Sequence, residues 1–281
     1  MSGSTKGSWE LPISEGQLAR LTRDMEQAHR DTLPAMRASA VDLAEEIRTR
    51  RAEDGSDRAD AGRRRFLLGA GGIGAALVLA ACSSDPKTGN AMSTPSGSAG
   101  MSGSGSPKPS ASGQYTGDLQ VVALATALEN QAVGAYQAAL DAATAGKLGT
   151  VPAAVATFVT TAMAQHADHA KAWNSVLTGA GKPAITDVPL SNQPATLEAL
   201  GKAATVGDVA KLALQLEDQA AQTYLFATYN VTSPAGITTA ATIAPVEAMH
   251  AAILHYVLGQ YPVPDDFLPV DKAAKPSLLT V

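Results

Sequence analysis

Two segments of this chain align without a gap: residues 128–136, LENQAVGAY, and residues 216–224, LEDQAAQTY. Glu129 falls opposite Glu217, Gln131 opposite Gln219 and Tyr136 opposite Tyr224. Carrying the alignment onward sets QHADHAKAW (165–173) against VEAMHAAIL (246–254). His169 then matches His250, and His166 stands where the second copy has Glu247. The repeating unit is a pair of helices, and one such pair cannot bury its apolar face alone. The two hairpins must therefore pack on one another, which leaves few folds open to the chain.

From about residue 115 the apolar residues follow a helical period, with no strand-like alternation. The first helix is expected over about 116–145, ended near Gly146. The second runs over about 152–178, with Pro152 near its start and Gly179 at its end. The third spans about 206–230, with Asp208 in its first turn. The fourth spans about 238–259 and closes at Gly259, before Pro262 and Pro264. Within it, Pro245 opens the apolar run 245–258, as a proline can in a first helical turn. Short connections make the first and second, and the third and fourth, antiparallel neighbours. Residues 179–205, with Pro183, Pro189 and Pro194, form one long crossover. The expected fold is all-α: a four-helix bundle with a single long connection between its second and third helices. Aromatic residues are only 4% of the chain, so the core must be built from Ala, Val and Leu, which suits close-packed helices. The tail beyond Tyr261 is expected to be extended and packed on the bundle.

Turning each helix by about 100° per residue sorts its polar groups. In the first helix, Glu129 falls within the apolar stripe of Val121, Leu124, Leu128, Ala132 and Tyr136, whereas Gln137 and Asp141 do not. In the third, Glu217 lies in the stripe of Leu212, Leu216, Ala220 and Tyr224, and Lys211, Asp218 and Gln222 point away. His166 and His169 share a face with Phe158, Ala162, Trp173 and Leu177, opposite Asp168 and Lys171. Glu247 and His250 project from the middle of the stripe of Ile243, Val246, Ile253 and Leu254. Buried charges are expensive unless compensated, and six at one level imply a common partner. That partner is either a metal or the groups themselves, as buried ion pairs. His255 sits at the edge of its stripe, His29 lies far upstream, and Tyr136 and Tyr224 read as core or supporting groups.

This pattern resembles the ferritin-like superfamily, which includes bacterioferritins, rubrerythrins and manganese catalases. Its members hold two metals with Glu, Glu-x-x-His, Glu and Glu-x-x-His on four successive helices. The resemblance covers roughly 115–260. It implies Glu129 and Glu217 as the single glutamates, Glu247 and His250 as one complete pair, and His169 as the histidine of the other. His166 departs from the family by replacing a glutamate. A neutral imidazole cannot bridge two cations as a carboxylate does, so an altered dinuclear site, a single metal or a lapsed site is implied. Iron or manganese acting on oxygen or peroxide, or serving metal handling, is the activity that the resemblance implies. The alternative is a metal-free structural or stress-associated envelope module. No rubredoxin-type cysteines are present to pass electrons, and no GxSxG appears.

The N-terminal part reads differently. Residues 1–62 are charged and of mixed sign, with two modest amphipathic helices, about 14–31 (Ser14 and Gln17 can form a capping box) and about 39–52. Composition predicts a weakly structured cytoplasmic leader. Residues 63–82 follow. Arg63, Arg64, Arg65, Phe66 and Leu67 resemble the twin-arginine export pattern, and the apolar run 66–81 is shorter than the roughly 20 residues of a membrane span. Leu79, Ala80, Ala81 and Cys82 resemble a lipobox, which makes Cys82, the sole cysteine, a lipidation site. The Gly69-x-Gly71-x-x-Gly74 within this run follows no strand and carries no dinucleotide reading. Residues 83–114 are Ser/Gly/Pro-rich, a disordered linker with a reach on the order of 30 Å, ahead of the domain at 115–281. The expected location is the extracytoplasmic side of the cell membrane, anchored through Cys82, after passage through the twin-arginine machinery. That route carries folded proteins, so metal could be loaded before transport. All eleven arginines lie at or before Arg65, and from Gln114 onward seven lysines face thirteen acidic residues. Nucleic acid is thus excluded as a partner of the domain, while a homo-oligomer is compatible with it.

Overall fold

The computed structural model of the chain describes residues 9–69, 114–263 and 269–281, apart from the side chains of 54–69. Its helices are α1 (Glu15–Gly69), α2 (Asp118–Thr144), α3 (Ala153–Gly179), α4 (Gln193–Lys202), α5 (Val206–Asn230) and α6 (Pro234–Val257), followed by a 3-10 turn at Pro276–Leu278. The chain divides into two compact units, residues 1–50 with 110–281, and residues 51–109. The described part of the second unit is the distal stretch of α1. The expected all-α bundle is present: α2, α3, α5 and α6 are its four long helices, and no strand occurs among the described residues.

Local chemistry sets the helix ends. Thr205 and Asp208 cap α5 reciprocally: the Asp208 N–H donates to Thr205 Oγ1 at 3.1 Å, and the Thr205 N–H donates to the Asp208 carboxylate at 3.1 Å. Gly146, at φ 69°, turns the chain out of α2 while the Lys147 N–H closes on the Ala142 carbonyl at 3.0 Å. Gly181, at φ 71°, does the same for α3. Gly179, expected at the end of that helix, is its last helical residue and lies against α1. A Cβ on Gly179 would lie 2.7 Å from the Ala44 Cβ. Ser233 caps α6, accepting from the Gly236 N–H at 3.1 Å, and Pro234 fills the first turn. Pro245 therefore sits in the helix interior rather than in a first turn, where its ring gives up one backbone hydrogen bond.

Two apolar clusters fill the bundle. One gathers Leu119 and Val122 of α2, Trp173, Val176 and Leu177 of α3, Tyr224 of α5 and Ile243 of α6. The other gathers Tyr136, Phe158, Ala162, Leu214, Leu254 and Val257. On every helix these sets lie to opposite sides of the Glu and His positions of the repeat, so a polar layer crosses the bundle between two dry ends.

Residues 15–50, expected as a weakly structured leader with two short helices, are instead part of one helix packed on the bundle. The expected capping box is there: the Gln17 N–H donates to Ser14 Oγ at 3.1 Å and the Ser14 N–H to Gln17 Oε1 at 3.0 Å. Leu18 and Met25 enter one apolar cluster and Met36, Ala40, Leu43 and Ile47 the other. Burying a side chain of this size contributes roughly 1.5–3 kcal/mol, and Leu18, Met25, Met36 and Leu43 are all buried. The apolar stripe is too narrow to stabilise a free helix; α3 and α6 supply the missing surface. Ser39 Oγ meets Thr239 Oγ1 of α6 at 2.7 Å, and Arg37 pairs with Asp168 of α3 at 3.2 Å.

The crossover and tail cover another flank. The short helix α4, which the prolines of the crossover concealed, packs against α2 and α5. Leu190 bridges to Leu279 of the tail. Gln222, expected to face away, is buried because the tail lies over it: its Oε1 accepts from the Lys272 N–H at 2.7 Å. The Ala274 N–H donates likewise to Thr223 Oγ1.

Candidate metal centre

The repeat dictates how the polar layer is wired. Tyr136 of α2 donates its hydroxyl proton to Glu217 of α5, and Tyr224 of α5 donates to Glu129 of α2. These reciprocal pairs run in opposite senses along the two helices, so α2 and α5 are antiparallel and related by an approximate twofold. The Trp173 indole N–H in turn donates to the Tyr224 oxygen at 2.8 Å. Each tyrosine engages one carboxylate oxygen and leaves the other facing the layer's centre.

All six groups singled out by helical angle, Glu129, His166, His169, Glu217, Glu247 and His250, are at most 2% exposed and converge. His166 lies between two glutamates, Nδ1 at 2.7 Å from Glu129 Oε2 and Nε2 at 3.1 Å from Glu217 Oε1. His250 Nδ1 lies 3.2 Å from Glu217 Oε2 and 3.3 Å from Glu247 Oε2. His169 Nδ1 approaches Glu247 Oε1 to 2.8 Å, yet both atoms are buried without a hydrogen bond. Two sets of four donors result, Glu129–His166–His169–Glu247 and His166–Glu217–Glu247–His250, each with its ligand atoms within 4.8 Å of one another. They share His166 and Glu247.

The donor atoms fit a cation. Two buried donors 2.8 Å apart and unbonded to each other suit neighbouring ligands on one ion, whose bonds to nitrogen and oxygen are about 2.0–2.2 Å. The layer also balances itself electrostatically without one. Burial would raise the Glu129 carboxyl, but the imidazoles of His169 and His166 hold it down at about 2. Glu217 is held well below the carboxylate range by His166 and His250, against the same burial. Burial would depress the imidazoles, but Glu247 and Glu217 raise His166 well above its ordinary value, and Glu129 and Glu247 lift His169 to about 9. Glu217 and Glu247 raise His250 likewise, against burial. The carboxylates and imidazoles of the layer thus stabilise one another's charged forms.

Three further residues at this level escaped the sequence reading. His29 of α1, expected to be unremarkable, is buried with its ring edge against His169, centroids 5.1 Å apart. Burial and the neighbouring His169 lower its pKa. Gln165 Oε1 lies 2.8 Å from His250 Nε2, and the Gln165 amide N–H donates to Glu26 Oε2 of α1 at 2.7 Å. A signal for two of them was available: Glu26-x-x-His29 has the spacing of Glu247-x-x-His250. His255 lies outside the layer, with Nδ1 2.8 Å from Gln260 Oε1. Arg63, Arg64, Phe66 and Leu67 belong to the helical backbone of α1, their side chains undescribed, and Cys82 and residues 83–113 lie outside the described residues.

A void of about 10 Å³, near the volume one water requires, touches Glu129 and His166 between α2 and α5. A cleft of about 320 Å³ between α4 and α5 shares Leu216 and Gln219 with it as walls. Leu216 and Gln219, with Gln131 bonded to Thr196 of the cleft wall, stand between the cleft and the layer on that flank, while α1 covers the flank formed by α3 and α6.

Residues 117–260 match the family described as the ferritin-like domain. No curated protein and no solved structure matches the chain.

Proposed function

Because the chain belongs to the ferritin-like domain family, we propose that its buried glutamate–histidine layer binds iron or manganese and serves oxygen or peroxide chemistry, or metal handling. The observation that carries this reading is the unbonded pair of His169 Nδ1 and Glu247 Oε1, buried and 2.8 Å apart at the junction of the two donor sets. The ligands would be Glu129, His166, His169, Glu217, Glu247 and His250. Mixed carboxylate and imidazole donors without thiolate suit iron and manganese.

Such a metal, when bound, supplies Lewis acidity and one-electron redox chemistry. The chain's own residues do the rest. Glu129, Glu217 and Glu247 offset cationic charge in a dry interior. Tyr136 and Tyr224 hold one oxygen of Glu217 and of Glu129 and so fix each carboxylate's orientation. The imidazoles must give up protons to act as ligands, so binding releases protons. The apolar clusters on either side exclude bulk water.

Elemental analysis of the full chain tests the reading, with stoichiometric iron or manganese expected; metal consistently far below stoichiometry would overturn it. The mutual pairing of carboxylates and imidazoles in the layer favours a second reading, a metal-free polar core in a structural envelope module. The double variant Glu247→Leu/His250→Leu separates them. A metal protein loses its metal, whereas a buried ion-pair core gains stability when replaced by apolar residues. The motif at 63–82 further supports export by the twin-arginine route and a lipid anchor at Cys82, on the extracytoplasmic face of the membrane. Fatty-acid labelling of the chain should disappear in Cys82→Ala; persistent labelling excludes that anchor.

A further inference from the structure

Helix α1 lies upstream of the family-matched region, yet it reaches the polar layer at two points. Glu26 and His29 are three residues apart on one helical face. His29 packs directly on the His169 ring, and Glu26 acts at a distance, through Gln165. The direction of that second contact is fixed by chemistry. An ionised carboxylate only accepts hydrogen bonds, so the Gln165 atom facing Glu26 must be the amide nitrogen, 2.7 Å away. The amide oxygen then faces His250, and an oxygen only accepts. His250 Nε2, at 2.8 Å, must carry a proton. With that proton held on Nε2, the one the ring gives up on binding a metal is the proton on Nδ1, whose lone pair then serves as the ligand; Nδ1 is the atom that faces Glu217 and Glu247.

We propose that Glu26 and Gln165 are positioning residues of the metal centre: the relay from α1 keeps the His250 proton on Nε2 and presents Nδ1 to the metal. This deepens the reading given under Proposed function and rests on it. Hydrogen bonds to the outer nitrogen of a ligating histidine fix its tautomer and ring orientation, and their loss typically lowers metal affinity 10–100-fold. The side chain at position 26 thus makes α1 a component of the centre as well as its cover.

The test uses the full chain with cobalt(II) and zinc(II) as probes. Cobalt(II) titrations should show affinity falling about 10–100-fold in both Gln165→Leu and Glu26→Leu. Met36→Ala, which loosens α1 away from the relay, should lower the melting temperature and leave affinity within about threefold, below the range expected for a lost ligand partner. In ring-nitrogen NMR of the zinc(II)-loaded protein, His250 should be metal-bound through Nδ1 with a protected proton on Nε2. That signature should be lost in Gln165→Leu and kept in Met36→Ala. Unchanged affinity in both relay variants, or an equal loss in Met36→Ala, overturns the proposal. If neither metal binds the unaltered chain, the parent reading fails on its own. The metal-free spectrum then decides the relay: a protected Nε2 proton on His250 that depends on Gln165 upholds it, and its absence overturns it.

Discussion

Tyr136 and Tyr224 each stand seven residues beyond a glutamate of their own helix and serve the glutamate of the other. Replacing either by Phe removes a hydrogen bond from a buried carboxylate, which should destabilise the fold by about 1–3 kcal/mol, the lower end for Tyr136→Phe because Glu217 Oε1 keeps His166 Nε2 at 3.1 Å. Tyr224→Phe should be the more damaging, because the Trp173 indole N–H loses its acceptor as well. Urea unfolding of the two variants checks both the size and the order. The imidazoles make a second prediction, with a sign that depends on metal. In the metal-free protein, His169 is raised from 6.5 to about 9. Its stabilising contribution is complete below pH 6.5 and is lost as pH rises through 9. Glu129 is lowered from 4.5 to about 2, so its contribution is complete above pH 4.5 and is lost as pH falls through 2. Chelator-treated protein should therefore be most resistant to urea between those limits. Metal affinity should instead climb as pH rises over the same basic range, because the ligands must shed protons. A metal affinity that falls on raising the pH would contradict the ligand assignment.

Helix packing gives a paired test through two glycines. Gly134 is exposed within α2, and a methyl group placed on it would meet nothing within 4 Å. Gly134→Ala should therefore stabilise by about 0.5–1 kcal/mol. Gly179→Ala gains the same helix preference but drives a methyl to 2.7 Å from Ala44. Overpacking of this kind costs about 1–3 kcal/mol, so a net loss is expected, with α1 displaced; thermal denaturation of both variants reads the difference. The contrast also marks what could be read from sequence. Four helices and six inward polar groups were legible because helical angle is a local property: the same turn that buries Leu128 buries Glu129. The burial of Gln222 was not legible, since it depends on a tail some fifty residues on. The docking of α1 was not legible either. Its stripe gains meaning only from the groove of α3 and α6, and Gly179, expected at the end of its helix, also leaves room for Ala44 of α1.

Over the whole molecule, α1 and the crossover divide the work of covering the layer. The α4 flank has a cleft behind Leu216 and Gln219, whereas the α1 flank is sealed by Leu18, Met25, Met36 and Leu43. A chain beginning at Cys82 should therefore bind metal more weakly and unfold at lower urea than the full chain. Adding a peptide spanning residues 9–50 should restore both, whereas a truncated chain with unchanged affinity and stability would show that the covering helix is dispensable. Its position in the chain has one more consequence. The scissile bond implied by the lipobox reading, ahead of Cys82, lies between α1 and the bundle's own sequence. Proteolysis there would turn an intramolecular seal into a bimolecular one, held only by its dissociation constant. Such a cut would then let dilution decide whether the uncut chain's closed flank survives on the cleaved one.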